Sequence, residues 1–463
     1  MKRSLLTVLA LIALLSMTFG VAAGPIFGGL TTTADGYSTW DADMINAEAE
    51  DVVQTGAGVY VAVLDTGLVP NWSDYFPKER IATELGTGFD QSVTFKAKSG
   101  DGCEYDVSVG KLHQTTWVGS IGSSHGTHVT STIIGYFYRS NSDAAAGFPL
   151  PPIVVRGIAP DVTIIPVKVL ADYQIPALPK CSTPTPASKV VFGTDEMVAA
   201  GINYATDLAI AGYRPMVINM SLGGSEMAAI EQAAIDRAIA NGVVIVAAAG
   251  NEGEAGMGYP GAYAPVISAG SVGWTGEWLR PGGDPLVGPR YRMWWLKYPN
   301  APLLAGTGEV ADPTAVGDVY LSDFSSRALT GQQLDVLAPG SWVRGPFAGD
   351  PGYNHLPWWS QGIGDLRGHN SGNFYYVGGT SMATPHTSAA AALLLQKNPA
   401  LTAVDVELIL KSTALVIPDT GSRAIWDNTA AATITWDTDC DGTTCDPVGA
   451  GLIQLNAALA SIP

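Results

Sequence analysis

"GGTSMATPH" occupies residues 378–386, directly ahead of the helix-forming run "TSAAAALLLQK" (387–397). Two glycines and a threonine lead into Ser381 at the mouth of an expected helix over 381–397. Serine is a favoured N-cap residue, so a plain helix start accounts for it. A serine there is also exposed, and the helix N-terminus can stabilise an oxyanion, which suits a nucleophile. The stretch alone supports both readings; its surroundings have to decide.

Working outward, short apolar runs read as buried strands: "VYVAVLD" (59–65), "VTIIPVKVL" (162–170), "PMVINMSL" (215–222), "GVVIVAAAG" (242–250), "PVISAGSV" (265–272) and "LDVLAPG" (334–340). Helical patterns lie between some of them. Residues 194–211 put Met197, Val198, Ile202, Ala205 and Ala209 on one face. A second helix is expected from Ser225 to the "NG" stop at Asn241-Gly242, and a further one over 402–414. Strands alternating with helices imply an α/β fold of three layers, a mostly parallel central sheet with helices on both faces. The spacing is uneven. Residues 91–120, 171–190, 273–320 and 343–375 read as long loop insertions, the last two rich in Trp, Pro and Gly. Their aromatic runs, "YRMWWLKYP" and "NHLPWWSQ", either pin the insertions to the core or line a substrate groove.

The chain has 463 residues, nearly half of them hydrophobic, enough for a large core. It opens with basic Lys2 and Arg3, an apolar run from Leu5 to Phe19, and small residues at Val21-Ala22-Ala23. This is the pattern of a secretory signal peptide over 1–23, with 24–463 as the exported domain. The run is short for a membrane span of roughly 20 residues. Loss of 1–23 removes two basic residues and no acid, so the net charge goes from −18 to −20. Such a surface repels nucleic acid and anionic lipid and suits a secreted, extracellular, monomeric protein with no stable membrane insertion. Export permits disulfides. Cys440 and Cys445 are near enough for a local bridge, which leaves Cys103 and Cys181 as the simplest second pair among three possible pairings.

Asp65 stands at the C-terminal end of an expected parallel strand, where open α/β proteins build sites, although Asp before Gly also forms turns. "SSHGTHVTSTIIG" carries His125 and His128 at a helix start. Three apart, they share a face and could hold a metal, but no third partner is evident. Alternatively one is a general base and the other packs inside. A base must meet a hydroxyl and be oriented by a carboxylate, and Ser381 and Asp65 are of those types. Asn251 in "AAAGNEG" follows another strand; it is a turn residue or an oxyanion donor.

Strand-DTG, HGTH, strand-GN and GTSMATP occur in that order, and the ordered set is far more specific than any member. The sequence resembles the subtilisin-like serine proteases, the subtilase family. "RGIAP" (156–160), "SLGG" (221–224), "SSR" with "LDVLAPG" (325–340) and "GAGLIQLNAA" (449–458) add to the likeness, which runs over about residues 50–460. The resemblance implies Ser381 as nucleophile, His125 as base, Asp65 as orienting acid and Asn251 as oxyanion donor, helped by the Ser381 N–H. It implies that Ser221, Leu222, Gly223 and Gly224 pair with substrate backbone and wall the S1 pocket, with Gly258 at its floor. It further implies structural calcium, with Asp74 at the place of a family ligand. A second calcium candidate is the "DTDCDG" turn with Asp437, Asp439 and Asp441, although position 12 of such a loop would be Val448.

The expected function is a secreted serine endopeptidase working on protein or peptide substrates through an acyl-enzyme, with no cofactor needed for chemistry. The alternative is a non-catalytic subtilase relative that binds peptides or partners. A serine-carboxyl peptidase would carry an acid in place of the histidine of HGTH. About 35 residues separate Ala23 from Val59, too few for the separate folded prodomain usual in the family. The insertions, disulfides or calcium are therefore expected to let the fold form unaided.

Overall fold

The computed structural model describes residues 39–98, 103–119, 123–138, 153–179, 181, 184–276, 278–279, 291–292, 316–347, 374–417, 423–427, 432–436, 440 and 444–463. The expected signal segment 1–23, the tryptophan runs of 293–299 and 354–361, and Asp437, Asp439 and Asp441 lie outside the described residues.

The centre is a nine-stranded sheet. In chain order its first strands are β1 (Tyr60–Asp65) and β2 (Thr87–Asp90), followed by the β3 (Val93–Ala97) and β4 (Tyr105–Val109) hairpin and the edge strand β5 (His113–Thr115). Then come β6 (Gly135–Tyr138) paired with β7 (Ile153–Arg156), β8 (Thr163–Lys168), and a β9 (Ala171–Ile175) and β10 (Ser188–Phe192) hairpin. The remaining sheet strands are β11 (Met216–Met220), β12 (Val244–Ala248), β13 (Ile267–Trp274), β14 (Val319–Leu321) and β15 (Val336–Pro339). The sheet runs β14-β13-β12-β11-β1-β8-β2-β5, with β15 also on β13. Only the β13–β14 and β2–β5 pairs are antiparallel. All six strands expected from the sequence are present.

Side chains alternate across the sheet as a period of two requires. Val61 and Val63 of β1, Val217 of β11 and Val244 and Val246 of β12 meet the helices Ser124–Ile134 and Thr380–Lys397. Ala62 and Leu64, Ile218 and Ile245 meet the helices Asp195–Ile210 and Ala229–Ala240 on the opposite face. Strands covered on both faces must be apolar throughout, and β1, β11 and β12 are almost entirely buried.

Several boundaries differ from expectation. The stretches 273–320 and 343–375, read as loops, reach into sheet strand β14 and into an antiparallel pair of Val343–Pro346 with Phe374–Val377. The helix placed from Ser225 begins at Ala229; Ala228 holds its N-cap with no side-chain bond. Residues 91–120 and 171–190, read as loops, contain the two hairpins. Their five-residue strands alternate too briefly to stand out, and tertiary packing decides them. Phe95, Tyr173 and Phe192 join one small core, with the Tyr173 and Phe192 rings 4.3 Å apart. Cys103 pairs with Cys181 and so ties one hairpin region to the other; Cys440 pairs with Cys445.

Candidate active site

β1, β11 and β12 are adjacent and parallel, so their C-terminal ends share one edge of the sheet. Asp65 ends β1, Ser221 directly follows β11, and Asn251 follows β12 by three residues. The site is therefore built from chain ends that the topology places side by side.

Asp65 is fully buried, and the Thr66 N–H donates to its Oδ1 at 2.6 Å. His125 Nδ1 lies 2.8 Å from Asp65 Oδ1 and 3.0 Å from Oδ2. The ring approaches so closely because Gly126 follows it: a Cβ there would stand 2.5 Å from the Gly67 carbonyl and 3.1 Å from Asp65 Oδ1. Thr66 fixes the same helix start. Its hydroxyl accepts from the Gly126 N–H, and its carbonyl accepts from the Ser123 hydroxyl. The His125 side chain keeps 29% exposure. Burial pulls its pKa down, but the charge and hydrogen bond of Asp65 outweigh this and hold it above the ordinary 6.5.

His128 is fully buried, with Nε2 3.1 Å from the Val343 carbonyl. Burial, aided by the nearby His125, lowers its pKa to about 3, so it is neutral. Of the two histidines, one faces a carboxylate and the other packs inside. They do not converge on a metal, and no group of three or more His, Cys, Asp or Glu does so among the described residues.

Ser381 is the second residue of the helix Thr380–Lys397. Pro385 lies inside that helix. It has no N–H to give to the carbonyl four residues back, which is that of Ser381. The Ser221 hydroxyl donates to this carbonyl instead, at 2.8 Å. Ser221 in turn receives the Asn219 amide at 3.1 Å, and Asn219 receives the Ser388 hydroxyl at 2.9 Å. The Ser381 hydroxyl donates to the Ser221 carbonyl at 3.2 Å. It makes no hydrogen bond with His125 among the described residues.

Asn251 Oδ1 accepts from the Thr380 N–H at 2.9 Å and lies 3.1 Å from the Thr380 hydroxyl. That fixes the amide orientation and leaves Nδ2 free to donate outward. The Ser381 N–H, in the first helical turn, likewise has no intrahelical acceptor. Two donors therefore stand near Ser381 with nothing yet to bind. Sequence reading missed Thr380 and also Glu252, whose Oε2 accepts from the Asn251 N–H at 2.7 Å and from Ser326 at 3.0 Å. Their signal was present only as neighbours of the quoted motifs.

A cleft of about 380 Å³ runs from His125, Thr66 and Phe347 past Ser221, Leu222, Gly223 and Gly224. Gly224 and Tyr259 exchange backbone bonds of 2.7 and 2.8 Å, and a Cβ on Gly258 would lie 3.2 Å from the Gly224 carbonyl. Glycines thus let two chain segments close together at that wall. Asp74 is exposed at the end of a short turn, with the Asn71 amide at 3.2 Å.

The model of the subtilase family matches residues 56–440. The chain belongs to the subtilase family of serine endopeptidases. It is 27% identical to subtilisin DY of Bacillus licheniformis over 368 residues, covering 79% of this chain and 86% of that protein. It is 29% identical to subtilisin E of Bacillus subtilis over 364 residues, covering 78% of this chain and 61% of that protein. The crystal structure of fervidolysin from Fervidobacterium pennivorans, a keratinolytic enzyme related to subtilisin, overlaps 91% of this chain and 45% of its own, with a TM-score of 0.51 and 22% identity. That likeness speaks for the fold. No helix of the described residues is long and apolar enough to cross a membrane.

Proposed function

We propose that this subtilase is an exported endopeptidase that cleaves peptide bonds through an acyl-enzyme on Ser381. The observation that carries the reading is the buried Asp65 holding His125 Nδ1 at the mouth of the cleft, beside the helix that carries Ser381 in its first turn. Asp65 fixes the tautomer in which Nδ1 bears hydrogen and Nε2 is free as a base. In the reaction Nε2 takes the Ser381 proton as Oγ attacks the scissile carbonyl. Asn251 Nδ2 and the Ser381 N–H receive the oxyanion. His125 then protonates the leaving amine, and water repeats the sequence to release the acid. The contact of Ser381 Oγ with the Ser221 carbonyl is a resting state; catalytic hydrogen bonds commonly tighten only with substrate bound. A relative that only binds peptides would have no need of a buried acid on the histidine and an oriented amide together.

The test is casein hydrolysis and fluorophosphonate labelling by the purified chain, with Ser381→Ala, His125→Ala and the double variant. Each should lose nearly all turnover, by similar amounts, because such residues act as a unit, as subtilisin itself shows. Near-normal turnover by Ser381→Ala refutes the reading.

A further inference from the structure

The cleft does not end at the 221–224 wall. It continues between Leu170, Phe192 and Leu222 to Glu231, in the first turn of the helix Ala229–Ala240. Glu231 is only 6% exposed, and its Oε1 is sealed from solvent with no hydrogen-bond partner. A buried carboxylate oxygen without a partner is costly when ionised, and the cost is offset either by holding a proton or by a cation that enters. Asp195, whose charge acts on Glu231, and Glu226 line the same cleft and are exposed. Among the described residues none of the lining is Lys or Arg.

We propose that this end of the cleft is a subsite for a lysine or arginine side chain, carried by an acyl-side residue of the substrate beyond P1, with Glu231 as its counter-charge. The inference rests on the peptidase reading above for the direction in which the substrate lies. The walls suit such a guest. Leu170, Phe192 and Leu222 can cover an aliphatic stem while the charged head reaches the acids. The hairpin that supplies Phe192 is one of the insertions, so the subsite wall is made by a segment outside the sheet.

The groups facing Glu231 are acidic. Burial first, and then the charge of Asp195, raise the Glu231 pKa from 4.5 to about 7. With the cleft empty, the acid therefore holds its proton near neutrality. An arriving cation favours the ionised form and draws that pKa down. Preference for a cationic over a neutral side chain should grow as pH rises through about 7.

The experiment uses labelled peptides that differ only in Lys, norleucine or Glu at one acyl-side position, scanned along the peptide. Binding is read by fluorescence anisotropy on the Ser381→Ala protein, so no turnover is needed. Lys should bind about tenfold or more tighter than norleucine at one position beyond P1, the scale of a hydrogen bond to a charged group. Adding Glu231→Gln should bring the ratio close to one, and Asp195→Asn should lower it by less. Equal binding of Lys and norleucine overturns the proposal, and so does a Lys margin that survives Glu231→Gln. The same ratio in kcat/KM for the wild-type chain, from pH 5.5 to 8.5, should rise through neutrality; a flat ratio counts against Glu231. Lys-dependent binding without any hydrolysis by the wild type would support this subsite and sink the peptidase reading instead.

Discussion

The Ser221 hydroxyl donates to the Ser381 carbonyl at 2.8 Å, filling the place that Pro385 leaves open. A proline inside a helix normally breaks it by removing a donor. Here a side chain from the adjacent strand end makes up the loss and fixes the helix start at Ser381. Ser221→Ala should lower stability by about 1–3 kcal/mol, because the carbonyl and the Asn219 amide both lose a buried partner. Ser221→Thr should recover much of it. Urea unfolding of the two variants checks this; an unchanged midpoint for Ser221→Ala removes the claim.

Asn251 should act on rate more than on binding. Asn251→Ala is expected to lower kcat by about 10² to 10³ with little change in KM, the magnitude known for the corresponding donor in subtilisin itself. Thr380→Val keeps the backbone bond to Asn251 Oδ1 and loses only the hydroxyl contact, so its loss should be smaller. Equal effects from the two changes would show that the amide is held mainly by the Thr380 hydroxyl and not by the backbone bond.

The pH profile follows from His125. The base must be neutral, and its pKa is held above 6.5 by Asp65. The acid limb of kcat/KM should therefore have its midpoint above 6.5. Asp65→Asn removes the charge and leaves burial unopposed, so the limb should move down while kcat falls by roughly 10⁴. A limb that stays in place would detach Asp65 from the titration.

His386 and Asp41 are both buried, and Nε2 of the ring lies 3.0 Å from Asp41 Oδ2. This pair joins the short helix Trp40–Met44 to the helix Thr380–Lys397. Asp41→Ala should cost about 1–3 kcal/mol by leaving a buried donor unpartnered. Adding His386→Leu should restore part of that. Strict additivity in denaturant unfolding would argue that the two do not interact.

Calcium remains a proposal, motivated by the charge of −18 and by Asp74, Asp437, Asp439 and Asp441. An ion that binds only the native state raises stability by mass action. EDTA should lower the melting temperature and added calcium should restore it. Superimposable melting curves in both conditions would dismiss the idea.

Six of the nine sheet strands and the candidate site residues were legible in the sequence because local chemistry marks them; β2, β5 and β14 were not. Short apolar runs bounded by turn residues and rich in Val and Ile read as strands buried on both faces, and Asp65, His125, Asn251 and Ser381 sit near glycines at element ends. Their order along the chain needed no coordinates. The hairpins of 91–120 and 171–190 were not legible, because five-residue strands become stable only when Phe95, Tyr173 and Phe192 meet across distant segments. The same holds for Ser221 supporting Ser381, for Thr380 orienting Asn251 and for the sealed carboxylate of Glu231. Sequence marked the groups proposed to carry the chemistry. Tertiary structure alone decided what each one faces, since partners in a parallel sheet come from strand ends far apart in the chain and adjacent in space.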